Sequence, residues 1–214
     1  SEFMTALGAL INWGTEQQPF LMGIIVSVLM GMILTLPISS AALGVILNLS
    51  GLAAGAATIG CCCNMVGFAV ASYRENKIGG LLAQGIGTSM LQVPNIVRKP
   101  IIWVPAILSS AILGPVGTMI LHMTSNATGS GMGTAGLVGQ IMTWQTMTAV
   151  EPPMGVLVKI IVMQIATAHF RIYEKEKMDS VWRYETRIIK ADEEKLSKKS
   201  MKFMTVSLDY GILL

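Results

Sequence analysis

Few side chains in the body of this chain can do chemistry, and most of those are neutral. Gln84, Gln92 and Gln140 each offer an amide donor and an amide acceptor, and they sit on two glycine-rich stretches. Asn95 and Arg98 stand three residues apart, so a helix would put them on one face. The Arg98 guanidinium could attract a phosphate or hold a carboxylate; its plainer role is a cytoplasmic topology anchor. His122 ends an apolar run beside Ser, Thr and Asn. Its imidazole could bond a ligand or carry a proton, although an interfacial histidine needs no function. Glu151 is the single acid between Arg98 and the charged tail. A carboxylate inside a membrane is functional by default and can accept two hydroxyls; Pro152 and Pro153 after it make a loop position the alternative. Trp144 could stack on a ligand or anchor an interface.

The elements that must hold these groups are set by where charge is missing. From Gln17 to Tyr73 there is no Asp, Glu, Lys or Arg for 57 residues, and from Pro100 to Val150 none for 51. A helix crosses hydrocarbon with about 20 apolar residues, so the chain reads as an integral membrane protein. Residues 1–170 hold 9 of the 27 charged residues and 171–214 the other 18. Mean hydropathy of +0.62 therefore understates the body. Phe20–Leu36 is apolar on every face, which excludes the in–out alternation of a barrel. The fold class is all-α, polytopic, with re-entrant or broken Gly-rich helices.

Four spans are expected: Phe20–Leu36, Leu52–Ser72, Ile101–His122 (bent at Pro105 and Pro115) and Met154–Phe170. Leu52–Ser72 is rich in Gly, Ala and Ser, which lets helix backbones approach closely in lipid; it belongs at the centre of a bundle. Ala41–Leu49 is a short apolar piece, and Thr124–Gly133 reads as a loop. Two basic loops, Tyr73–Lys77 and Arg98–Pro100, flank Ile78–Val97. Basic loops favour the cytoplasmic side, so a simple crossing between them is disfavoured. Gly79–Asn95 is expected to be re-entrant or broken, lining a polar cavity. Thr134–Val150, studded with Gln and Thr, is a second such segment. Gly85-Ile86-Gly87-Thr88 and Gly131-Met132-Gly133-Thr134 share a Gly-x-Gly-Thr pattern. Paired Gly-interrupted segments point to a transporter site, and a match this short also arises by chance. Cys61, Cys62 and Cys63 have neither zinc nor disulfide spacing and read as packing residues.

Four motifs then narrow the field. Gly51-Leu52-Ala53-Ala54-Gly55-Ala56-Ala57, Ser72-Tyr73-Arg74-x-Asn76-Lys77-Ile78-Gly79, Pro94-Asn95-Ile96-Val97-Arg98-Lys99-Pro100 and Gly136-Leu137-Val138-Gly139 together resemble the membrane-embedded IIC subunit of the bacterial phosphotransferase system. The branch includes a clostridial regulator of toxin expression. The match runs from about Pro19 to about Gln164 and covers the C-terminal half of such a protein. The resemblance implies a multi-pass protein of the bacterial plasma membrane. It implies a sugar site that delivers to separate IIA and IIB phosphotransferase components, with no phosphorylated residue of its own, and a homodimer. Gln84, Asn95, Arg98, His122, Gln140 and Glu151 are the candidate substrate residues. No catalytic residue, metal, cofactor or nucleic-acid partner is expected. A membrane-bound regulator or sensor on the same scaffold, or an inert helical fragment, are the alternatives.

The ends read differently. Residues 1–19 comprise a cloning scar, Ser1-Glu2-Phe3, and an interfacial segment without a signal-peptide pattern; residues 20–170 are the IIC-like domain. In the charged tail, 171–214, Ile172 to Lys190 can be reread one base out of frame as a string similar to the family's own C-terminus. Residues after about Gln164 are therefore expected to be out-of-frame sequence, with a genuine soluble tail as the alternative.

Overall fold

A computed structural model describes residues 2–98, 100–163 and 166–167, without the side chains of residues 74 and 75. The tail and its proposed frame change lie outside the described residues, as does the end of the last expected span. Among the described residues there is no strand, only an isolated antiparallel bridge between Gly51 and Ser125. Nine α-helical segments are described: α1 (Glu2–Gln17), α2 (Pro19–Thr35), α3 (Ser40–Ile46), α4 (Gly51–Leu82), α5 (Val93–Arg98), α6 (Val104–Pro115), α7 (Ala127–Ser130), α8 (Val138–Met147) and α9 (Pro153–Met163).

The core follows from small residues. Gly51–Tyr73, the apolar part of α4, is 23 residues long and largely buried, with Ala53, Ala54, Ala56, Ala57, Cys61 and Cys63 at or near zero exposure. It packs against α2 and α6. At Gly60 an added methyl would strike the Ser27 carbonyl, so backbone meets backbone across the α2–α4 contact. Helices gain no hydrophobic drive from one another in lipid, and such close approach supplies dispersion instead. The cysteines pack as expected.

Polar side chains bolt the three helices together. Ser27 Oγ donates to the Ser110 carbonyl at 2.8 Å, and Asn64 Nδ2 donates to the Gly60 carbonyl at 3.1 Å and to Ser110 Oγ at 3.4 Å. Ser110 Oγ donates to the Ala106 carbonyl at 2.9 Å. Thr35 Oγ1 lies 3.2 Å from the Gly31 carbonyl and 3.5 Å from Asn64 Oδ1.

The expected bends resolve by position. Pro105 sits in the first turn of α6, where its missing N–H costs nothing. Pro115 ends α6, and a π-helical turn, Val116–Ile120, follows at once. Pro100–Ile120 remains one 21-residue apolar stretch.

Two hairpins fold into this frame. At Lys77 the backbone leaves the helical region (φ 52°, ψ −141°) and the chain doubles back along α4, so that Gly85 faces Ala69. It continues as a π-helical turn, Ala83–Gly87, an extended Thr88, a 3₁₀ turn, Ser89–Gln92, and α5. Gly79–Asn95 is thus a broken element. The charged stretch before it is helical up to the break at Lys77 rather than a loop. The second hairpin starts at the other end of α4, where Gly51 pairs with Ser125. Thr124–Gly133, expected to be a loop, holds the short helix α7 and is largely buried, at Ser125, Gly129, Ser130, Gly131 and Gly133. Asn126 caps α7 by accepting from the Gly129 amide at 2.9 Å. Side chains this small let irregular backbone sit against α4. The return arm is α8, held by Thr143 Oγ1 to Ser125 Oγ at 3.3 Å.

Candidate functional site

The hairpins approach from opposite ends of α4 and meet near its middle. The Ala83–Gly87 turn of the first packs against the 3₁₀ turn Ala135–Leu137 of the second. Gly133 fits against Cys61, where any Cβ would collide with the cysteine. Cys61 lies one residue from the centre of the Gly51–Tyr73 stretch. Irregular backbone at that depth is tolerated only when protein or a cavity covers it. Gly133 (φ 54°) and Gly136 (φ 54°) supply the left-handed turns, and Leu137 (φ 60°) is held in the same region without glycine's freedom. That strain is localised at the tip.

Gln84 Oε1, Ser89 Oγ and Thr134 Oγ1 are buried without a hydrogen-bond partner; Gln84 and Thr134 lie on or next to the turns that meet, and Ser89 lies on the following 3₁₀ turn, which packs on α2, α4 and α5. Their residues are 5%, 0% and 3% exposed. Native structures pair nearly all such groups, so each orphan calls for an explanation. A fourth, Trp103 Nε1, lies on neither tip.

Of the residues singled out from the sequence, Gln84 and Gln140 lie on the two elements that converge. Gln140 Nε2 reaches Cys62 Sγ at 4.0 Å and lines, with Thr58 and Thr143, a cavity of about 20 Å³. That volume suits one water and no sugar. Asn95 and Arg98 sit exposed on α5 at the outer end of the first hairpin, with Asn95 Nδ2 donating to Gln92 Oε1 at 2.9 Å. His122 is exposed in a positive-φ turn (φ 46°) where the second hairpin begins. Glu151 precedes α9 and pairs with Lys159 at 2.7 Å. That contact offsets the Lys159 charge on an otherwise apolar helix. Trp144 packs at the edge of a cluster around Ile59, Val156 and Met163.

Sequence reasoning missed Ser89 and Thr134. The repeated Gly-x-Gly-Thr pattern was the available signal: it ends at Thr134 and stops one residue before Ser89. Among the described residues, no group of His, Cys, Asp and Glu could hold a metal.

The family described as "Phosphotransferase system, EIIC" matches residues 1–184. No curated protein and no solved structure matches the chain.

Proposed function

The chain belongs to the phosphotransferase system EIIC family, and on that premise we propose that it binds a sugar between its two hairpin tips and carries it across the bilayer for phosphorylation by a IIB partner. As a member it is a membrane component of sugar transport that works with other phosphotransferase components. The finer assignment rests on one observation. Two broken hairpins, inserted from opposite ends of the central helix, meet at its middle with unpartnered polar atoms. Inverted, glycine-interrupted elements joined at the midplane are where transporters hold substrate.

In this reading Gln84 and Gln140 hydrogen-bond the sugar. Asn95 and Arg98, at the exposed end of the first hairpin, face the phosphoryl-bearing partner on the cytoplasmic side, which suits an arginine. Exposed His122 and ion-paired Glu151 take no direct part. The junction is too tight for a monosaccharide as it stands, so binding requires the tips to part. Sequestering substrate behind such gates is how a carrier exposes one site to two compartments in turn. The protein works as a homodimer in the bacterial plasma membrane, an expectation carried by the resemblance.

The test is uptake. Vesicles bearing the chain, given phosphoenolpyruvate and the soluble phosphotransferase components, should accumulate a radiolabelled hexose or hexitol as its phosphate ester. Sugar-dependent gene expression without accumulation would instead make the protein a membrane sensor on the same scaffold.

A further inference from the structure

The two hairpins are attached to the helical frame in different ways. The second is fastened along its length. The Ser125 amide donates to the Gly51 carbonyl at 3.2 Å, Ser40 Oγ donates to the Gly131 carbonyl at 2.6 Å, and Cys61 Sγ donates to the Ser130 carbonyl at 3.5 Å. Its backbone also lies directly on its neighbours. A Cβ at Gly44 would strike the Ala127 carbonyl, one at Gly55 the Met123 carbonyl, and one at Gly131 the Ser40 carbonyl. Backbone packed this closely has no room to slide.

The first hairpin lacks such fastening. Among the described residues, the side-chain hydrogen bonds of residues 78–98, Met90 amide to Thr88 and Asn95 to Gln92, join that stretch only to itself. A Cβ at Gly79 or Gly87 would meet open space, and one at Gly85 would meet only the Ala69 methyl, at 3.3 Å. Ile78, Leu82, Ile86, Met90 and Leu91 are exposed. Both roots are defined. One is Lys77 (φ 52°, ψ −141°), a conformation that strains any residue with a side chain. The other is α5, whose Ile96 is buried against Phe68 and Ala106. Between the roots, Gln84 Oε1 and Ser89 Oγ are buried without partners. Water reaching those oxygens and relief at Lys77 favour lifting, while apolar packing on α2 and α4 favours closure. Opposed in this way, the closed and open positions are close in free energy.

Resting on the reading that the tips part to admit substrate, we propose that the first hairpin alone is the moving gate, swinging about Lys77 while the second stays fixed as the opposing jaw. Ser89 tunes the gate, because its buried, unpaired hydroxyl disfavours the closed position.

The full chain carrying Ala69→Cys, in lipid vesicles without sugar, is treated with N-ethylmaleimide, and each modified cysteine is located by mass spectrometry. Ala69 is 2% exposed and lies under Gly85 of the first hairpin; native Cys61 is fully buried and lies under Gly133 of the second. Position 69 should react at least about 10-fold faster than Cys61. Adding Ser89→Ala should slow that reaction about 5-fold, since closure no longer strands a hydroxyl. The pair Ala69→Cys and Gly85→Cys brings two Cβ atoms near disulfide span. Its oxidation should stop phosphoenolpyruvate-driven uptake, and dithiothreitol should restore it. Cys61 reacting as fast as position 69 overturns the proposal. So does an unslowed reaction in Ser89→Ala, or uptake that continues with the disulfide verified. If the Ala69→Cys chain does not fold, hydrogen exchange in the unsubstituted chain decides: amides of 83–92 must exchange at least about 10-fold faster than those of 127–134. A chain that labels as expected yet accumulates no sugar upholds the gate and overturns the sugar-site reading alone.

Discussion

Two buried polar regions lie side by side on α4 and are finished differently. In the seam between α2, α4 and α6, Ser27, Thr35, Asn64 and Ser110 are all fully buried, and each has a hydrogen-bond partner. On the two hairpins, Gln84, Ser89 and Thr134 are buried to nearly the same degree and each carries an unpartnered oxygen. The seam's polar groups are consumed in holding helices together. On the proposed reading these hairpin groups are held in reserve for the sugar, at a cost in stability. On that reading the contrast separates scaffold polar residues from those of the proposed site.

The most severe challenge to that contrast is topological and all-or-none. Lys77 and Arg98, both exposed, flank the first hairpin. Lys77→Cys and Arg98→Cys should react with a membrane-impermeant maleimide from the same side; the native cysteines, at most 6% exposed, should stay silent. Labelling from opposite sides would make the stretch between them an ordinary crossing, and the junction would lose its midplane position.

Gly60→Ala probes the scaffold side. Its methyl would meet the Ser27 carbonyl, which is backbone and cannot turn away. We expect a loss of about 3 kcal/mol, read as a large drop in melting temperature in detergent. A melting temperature within a degree of the parent would show that α2 and α4 have slack.

A matched pair then sharpens the comparison itself. Asn64→Ala removes a satisfied donor and should destabilise by about 1–2 kcal/mol. Gln84→Met, close in volume, removes an unsatisfied acceptor; stability should hold or rise by up to about 1 kcal/mol while sugar affinity falls about 10-fold. Equal destabilisation by both would mean that Gln84 is scaffold too.

The smallest effect belongs to Glu151→Gln. The ion pair with Lys159 is about one-quarter to one-third exposed, so solvent screens it. A loss of no more than about 1 kcal/mol is expected, with sugar affinity unchanged. A clear fall in affinity would return Glu151 to the site.

Much of the architecture was legible because hydrocarbon imposes simple rules. Uncharged length located two helices long and apolar enough to cross a membrane, Gly51–Tyr73 and Pro100–Ile120, and Phe20–Leu36 became the shorter α2 within one residue at each end. Small residues over Leu52–Ser72 announced a central helix, and two basic stretches around Ile78–Val97 announced a chain that turns back. Thr124–Gly133 was harder. Ser, Thr, Asn and Gly serve a solvated loop and a buried irregular segment equally well, and only the neighbouring helix decides between them.

What the sequence alone determined is therefore the solvent and the breaks: a charge-free chain must satisfy its backbone within helices, and glycine marks where those helices stop. What the tertiary structure decided is which polar side chains are paired. Asn64 and Gln84 look alike in the sequence, each an amide in an apolar run. A hydrogen bond needs two groups within about 3.5 Å. For Asn64 the α6 serine Ser110 comes that close. The Gln84 oxygen has no protein partner where the two hairpins meet.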